Sequence, residues 1–247
     1  GKTFVSWNWK GGSSTSNSSG DVTSTVRANA TAGFCIVGDT GNGNDHTIGH
    51  GLGVKPDMMI RKARGRDDNW VVYHKDADAT DATEYLELNT NNGQQNYHEI
   101  WNDTPPTSSV FTVGSDTSVN EDTTGYITYL FSSVAGYSKI GKFDGNGNVN
   151  GPYVFLGFRP AFIMIKNTST GHWYMWDSTR QTTNEAEAKV LWANYVDEVE
   201  GDSTAYAIDF LSNGFKVRNA ESDTNSNNSH QLYLAYAETP FKYANAR

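Results

Sequence analysis

The sequence predicts an all-β protein made of two tandem homologous antiparallel β-sandwich units, lectin- or jelly-roll-like, and three observations predict it. Gly 24, Asn 24, Ser 21 and Thr 25 dominate the 247 residues while Leu occurs only 9 times, a poverty of straight-chain helix formers that excludes a helical bundle. Trp 7, Tyr 13 and Phe 11 are too many aromatics for a disordered polar chain, so a core exists, built from aromatic and β-branched side chains. The chain also repeats itself, which has to be read before anything else. Thr40 to Lys62 (TGNGNDHTIGHGLGVKPDMMIRK) lies over Asp144 to Lys166 (DGNGNVNGPYVFLGFRPAFIMIK) at a constant shift of 104, with Leu52 on Leu156, Gly53 on Gly157, Pro56 on Pro160 and Lys62 on Lys166. Further on, Trp70 meets Trp173 at 103 and Asn89 meets Asn194 at 105; the frame then returns to 104 with Phe111 on Phe215 and Tyr129 and Leu130 on Tyr233 and Leu234.

The elements follow in order. Residues 1–32 are a lead-in: Phe4 to Trp9 (FVSWNW) alternates like a strand, and GGSSTSNSSGD after it has linker composition. The first unit spans 33–136 and the second 137–247. Each opens with a GNGN turn, whose glycines and asparagines tolerate positive φ at little cost. A short strand follows, then a turn at Gly-Val-Lys-Pro or Gly-Phe-Arg-Pro and a strand MMIRK or FIMIK. An aromatic strand (WVVYH, WYMW), a polar insertion, and a strand FTV or FKV lead to the closing strand YITYLF or QLYLAYA. Short strands separated by turn signals describe an antiparallel sandwich. Asn184 to Val199 has the Ala/Glu content of a helix turn or two, but its counterpart DATEYLELN does not.

The formal charge of −9 argues against a nucleic-acid partner that works by phosphate neutralisation. Cys35 is the single cysteine, so no intramolecular disulfide forms, and in the run FCIV it reads as a small core hydrophobe. Apolar runs such as Phe162 to Ile165 fall far short of the roughly 18 to 20 residues of a membrane span, so no membrane insertion is expected. The chain starts at Gly1 without an initiator Met and reads as cut from something longer.

Among chemical constellations, Asp144-Gly-Asn146-Gly-Asn148 begins like a calcium loop, but Val149 and Phe155 stand where an EF-hand needs Gly and a bidentate Glu. A turn is the first reading and a loosely bound Ca²⁺ the second, and no other cofactor is expected. His46 and His50 beside Asp45 would sit some 13 Å apart along a strand, too far for one zinc. Acidic loops at Asp76, Asp78 and Asp81, and at Glu185, Glu187, Asp197, Glu198, Glu200 and Asp202, offer carboxylates for a polysaccharide depolymerase, with His74 as the one base for a lyase; solvated surface is the plainer account. No GxSxG, HExxH, CxxC or P-loop pattern occurs, and the expectation is a non-enzymatic protein.

Taken together, TGNGxxxTIGHGLGVKPDMMIRK, WVVYHKD, WNDTPPTSSVFTVG, GPYVFLGFRPAFIMIK, WYMWDSTR, IDFLSNGFKVR and ETPFKYANAR resemble a family of predicted tail-fibre and other virion-associated proteins of marine phages, including those of cyanobacteria. There such units stand in tandem, often at the C-terminal end of long chains. The resemblance runs from about residue 33 to 247, and FVSWNWKGG fits the family's lead-in. It implies a virion component, a homo-oligomer and, in a fibre, a trimer. Its partner is then a host-surface glycan or envelope component in the case of an adhesin, or other virion subunits in the case of a decoration protein. For an adhesin, recognition is expected in the polar insertions, which differ most between units. The candidate glycan contacts are Tyr73, His74, Asn96, Tyr97 and Trp101, with Trp176, Asp177, Arg180 and Trp192. There the aromatics would stack on a ring while Asp and Arg bind its hydroxyls. The plainer alternative is that Trp101 and Trp192 only pin long loops to the sandwich.

Overall fold

The strands MMIRK and FIMIK are apolar on consecutive residues because each is buried on both faces, as a continuous apolar run in a short strand allows. In a computed structural model that describes residues 5–77, 83–182, 184, 188–195, 202–227 and 229–239, the chain is all-β. The order is β1 (Thr15–Asn17), β2 (Ser24–Asn29), β3 (Phe34–Thr40), β4 (His46–Gly49), β5 (Met58–Ala63), β6 (Val71–His74), β7 (Glu84–Glu87), β8 (Gln95–Asn96), α1 (His98–Trp101), β9 (Val110–Val113), α2 (Thr117–Asn120) and β10 (Gly125–Phe131). After these come β11 (Ser138–Asp144), β12 (Tyr153–Phe155), β13 (Pro160–Asn167), β14 (Trp173–Asp177), β15 (Ala188–Lys189), β16 (Leu191–Trp192), β17 (Asp202–Ser203), β18 (Ile208–Leu211), β19 (Gly214–Val217), α3 (Ser222–Asn225) and β20 (His230–Ala237).

One large sheet has the order β1-β2-β3-β10-β5-β6-β7-β8 and the other β11-β20-β13-β14-β16, so the run β3-β10-β5-β6-β7 recurs strand for strand. The first half adds the small sheet β4-β9, and the second adds β12-β19-β18 and the two-stranded β15-β17. Alternation then fills three cores. On β5, Met59 joins Ile48, Phe111 and Val113 beneath the first small sheet. Ile163 and Ile165 of β13 join Val154, Phe215 and Val217 beneath the second. The opposite faces meet each other: Met58, Ile60, Val72 and Phe131 pack with Phe162, Met164, Trp173 and Leu234 in one central cluster. The molecule is therefore four sheet layers deep, and the two halves share their middle core. Trp173 stitches that seam by donating its Nε1–H to the Glu87 carbonyl at 2.9 Å.

The ladders shift the sequence frame. With Lys62 set on Lys166, Thr128 lies opposite Arg61 and Tyr233 opposite Ile165. The closing strands thus correspond at a shift of 105, and Tyr129 matches Leu234, not Tyr233. The frame of 104 would have turned every side chain of β20 to the wrong face, since a one-residue slip inverts a strand. By the same test β4 and β12 correspond at 106: Ile48 lies opposite Phe111 and Val154 opposite Phe215.

Other expectations change too. Residues 5–9 are not a strand; Trp7 and Trp9 instead pack into the central cluster, Trp7 on Phe162 at 5.1 Å and Trp9 on Tyr236 at 5.6 Å. The linker-like segment holds β1, which pairs with β2, and β2 extends the first large sheet at β3. Of Asn184 to Val199, the described parts hold the strands β15 and β16 and no helix; the remainder lies outside the described residues.

The GNGN motif is explained by one buried asparagine in each half. Asn120 accepts the Asn42 N–H at 3.0 Å and donates to the carbonyls of Asn44 and Gly114. Asn225 accepts the Asn146 N–H at 2.9 Å and donates to the carbonyls of Asn148 and Asn219. The second glycine of each tetrad is left-handed, Gly43 at φ 72° and Gly147 at φ 61°. A Cβ on the first, Gly41 or Gly145, would come within 2.3 or 2.2 Å of a backbone oxygen. The matched lysines serve the next turn: Lys62 Nζ donates to the carbonyls of Ala63 and Arg66, and buried Lys166 Nζ to those of Asn167 and Ser169. Burial brings Lys166 down to about 8.

Candidate functional site

The nine residues singled out from the sequence divide by burial. Tyr73, Trp101, Trp176, His74 and Asp177 are interior, so they present no face to a sugar. Trp101, 1 % exposed, packs edge-on to Tyr73 at 6.2 Å, and Trp176 donates to the Tyr206 carbonyl at 3.1 Å. His74 points into the seam between halves, where its ring meets the Tyr233 backbone and burial pushes it down to about 4; a neutral, enclosed imidazole does not reach a polysaccharide. Asp177 binds the Arg180 Nε at 2.6 Å and the N–H groups of its own turn. Trp192 is half-buried and ringed by His172, Tyr174, Tyr195 and Tyr206 at 5.2 to 6.1 Å, which is the geometry of a loop pin. Asn96 and Tyr97 are exposed, but Asn96 is tied to Thr83 and the Tyr97 hydroxyl to Glu99.

The metal readings meet the same kind of geometry. The side-chain oxygens of Asn146 and Asn148 accept the N–H groups of residues 148 and 150, while Asp144 pairs with His230 at 2.5 Å. His46 Nδ1 lies 2.8 Å from the Asn44 carbonyl, and His50 holds the Thr107 carbonyl and the Leu52 N–H. Among the described residues no group of three or more His, Cys, Asp or Glu side chains is arranged to hold a metal ion. Of the proposed hydrolytic carboxylates, Asp78, Asp81, Glu185, Glu187, Asp197, Glu198 and Glu200 lie outside the described residues.

A surface the sequence reading passed over has the better geometry. On β12, Val154 points into the core while Tyr153 and Phe155 point out, 45 % and 56 % exposed, about 7 Å apart by the rise of a strand. Lys139 Nζ sits 5.4 Å from the centre of the Phe155 ring and donates to the Phe155 carbonyl at 2.7 Å. The Tyr153 hydroxyl donates to Asn213 Oδ1 at 2.7 Å, which orients the ring. Across the sheet, Tyr153 lies opposite Lys216 and Lys216 opposite Asp209, so the three share the outer face. Two residues beyond Lys216, on the same face, Arg218 reaches Asp209 at 3.6 Å. This face runs into a cleft of about 410 Å³ lined by Asn184, Asp209, Arg218, Asn219 and Glu221, with exposed Val149 at its rim. An aromatic platform leading into a cleft of mixed lining, alanines beside Asp209, Arg218 and Glu221, suits a ligand with apolar ring faces and directional hydroxyls.

The same place in the first half is closed. There the equivalents of Tyr153 and Phe155 are Thr47 and Gly49, and the lead-in lies over them. Asp21 exchanges hydrogen bonds with Thr47 through both backbone and carboxylate, Ser24 donates to the Gly49 carbonyl at 2.8 Å, and Asn17 donates to the His50 carbonyl. The signal in the sequence was the alternation of GPYVFLG, which puts two aromatics outward where the other half has a threonine and a glycine.

Residues 1–240 match the family described as Domain of unknown function (DUF7483), and the chain belongs to it. Searches of curated proteins and of solved structures returned no match.

Proposed function

We propose that the chain is a non-enzymatic recognition module of a phage virion, a tail-fibre-like adhesin that binds host-surface glycan through the outer face of the β12-β19-β18 sheet. The observation that carries this reading is the outward pair Tyr153 and Phe155 beside the cleft of Asp209, Arg218 and Glu221. Exposed aromatics on a sheet stack on sugar rings at little entropic cost, and the polar side chains of the cleft next to them supply orientation. The virion setting rests on the resemblance of the ordered motifs from residue 33 onward. A homo-oligomer, such as a fibre trimer, multiplies weak single sites into firm attachment.

The test is binding of fluorescently labelled protein to candidate host cells. The reading expects wild type to bind, and Tyr153→Ala/Phe155→Ala to lose binding while its melting temperature stays that of wild type. Binding to purified virion subunits with none to cells would transfer this face to a decoration role. Release of reducing ends from host polysaccharide would replace the adhesin with a depolymerase.

A further inference from the structure

Resting on the glycan reading of this face, we infer that its ligand is an uncharged oligosaccharide of at least two residues, one ring stacked on Tyr153 and Phe155 and a second hydrogen-bonded across Arg218 and Asp209. Charge sets the class. The two lysines that flank the aromatics each spend one donor on a backbone carbonyl and keep their charge: Lys139 Nζ donates to the Phe155 carbonyl at 2.7 Å and Lys216 Nζ to the Gly151 carbonyl at 2.8 Å. Arg218 is matched by Asp209 at 3.6 Å, and Glu221 adds a second carboxylate to the same cleft. Over the whole face three cations, Lys139, Lys216 and Arg218, stand against Asp209 and Glu221, so the charges nearly cancel and an acidic sugar gains little there, on a chain of formal charge −9. A neutral sugar meets a donor and an acceptor side by side, the pattern that a pair of adjacent hydroxyls satisfies without desolvating an unpaired charge.

Distance sets the length. Tyr153, Lys216 and Asp209 stand in one row across three strands, so the platform and the cleft are separated by two inter-strand spacings, about 10 Å. That is farther than one pyranose ring reaches. A monosaccharide can occupy the platform or the cleft, and only an oligosaccharide joins them.

The experiment titrates the full chain with cello-, manno- and chito-oligosaccharides of increasing length, and with oligogalacturonates and sulfated galactan oligosaccharides of matched length, each at low and physiological salt. At least one neutral series should bind with little dependence on salt, with tetrasaccharide tighter than monosaccharide by about tenfold or more. Arg218→Ala should weaken that binding by about tenfold or more at unchanged melting temperature, and Glu221→Gln should let in acidic oligosaccharides that wild type refuses. Acidic oligosaccharides that bind wild type more tightly than neutral ones, with affinity falling as salt rises, would overturn this assignment of class; loss of that binding in Tyr153→Ala/Phe155→Ala would leave the glycan reading of the face standing. Binding by neither series would overturn both.

Discussion

The two halves fold the same strand order around opposite solutions to the same interior position. In the first, Arg61 is fully buried and held by Asp39 through two bonds at 2.8 and 2.7 Å, by Thr128 at 2.8 Å and by the Val119 carbonyl at 2.8 Å; its guanidinium also lies 4.3 Å from the centre of the Tyr126 ring. In the second, the corresponding residues are Ile165, Phe143 and Tyr233, and Phe143 and Tyr233 each pack against Phe215 with centroids 5.8 Å apart. The sheet geometry therefore does not require the ion pair. Removing one partner is what is costly, since it leaves a guanidinium buried without its carboxylate.

The largest expected effect follows. Asp39→Ala should cost about 3–5 kcal/mol in urea unfolding, because it strands the Arg61 charge. Copying the second half with Arg61→Ile, Asp39→Phe and Thr128→Tyr together should cost far less than that single change. A triple variant as unstable as Asp39→Ala would show that the halves are not interchangeable at this site.

A second contrast is His74 against its counterpart Asp177. Unfolded, a histidine takes its proton near 6.5, and folded His74, enclosed by burial, does so only at about 4. Between those values the unfolded chain holds more protons, so stability falls as pH drops through that window. The loss amounts to on the order of 3 kcal/mol. His74→Asn should flatten the wild-type decline between pH 6.5 and 4, measured by urea midpoints at each pH; an unchanged slope would place the titration elsewhere.

A smaller contrast lies at the start of the closing strand. The Tyr126 hydroxyl receives the Glu121 N–H and donates to the Thr117 carbonyl, both at 2.7 Å. In the second half Asn167 takes the equivalent carbonyl, that of Ser222, at 2.7 Å. Gln231, in the place of Tyr126, is fully buried with neither amide atom partnered among the described residues. Gln231→Leu should be neutral or stabilising by about 1 kcal/mol, since it removes a buried amide that makes no bond. A marked loss of melting temperature would mean that the amide has a partner.

Much of this architecture was legible in the sequence. The turn at GNGN and the β class follow from residue types whose local chemistry is strong. The strand frame was not, because matching letters such as Tyr129 and Tyr233 outweighed the alternation that assigns faces, and only the ladder shows which residues stand opposite. The shared middle core was hidden for a related reason: a run such as FIMIK announces burial on two sides without saying what covers the second. Among site residues, the large insertions single out Trp101 and Trp192, whose rings fix loops to the cores. Tyr153 and Phe155 sit in a three-residue strand whose importance depends on the lead-in covering the other half and not this one.

That asymmetry, an open face in the second half and a covered one in the first, is tested most directly by hydroxyl-radical footprinting of the full chain with and without a bound oligosaccharide. Tyr153 and Phe155 should be oxidised in the free protein and protected on binding, while Tyr97 and Tyr195, also exposed, keep their reactivity. Protection at Tyr97 or at Tyr195 and Trp192, with Tyr153 and Phe155 unchanged, would contradict it and return recognition to the polar insertions.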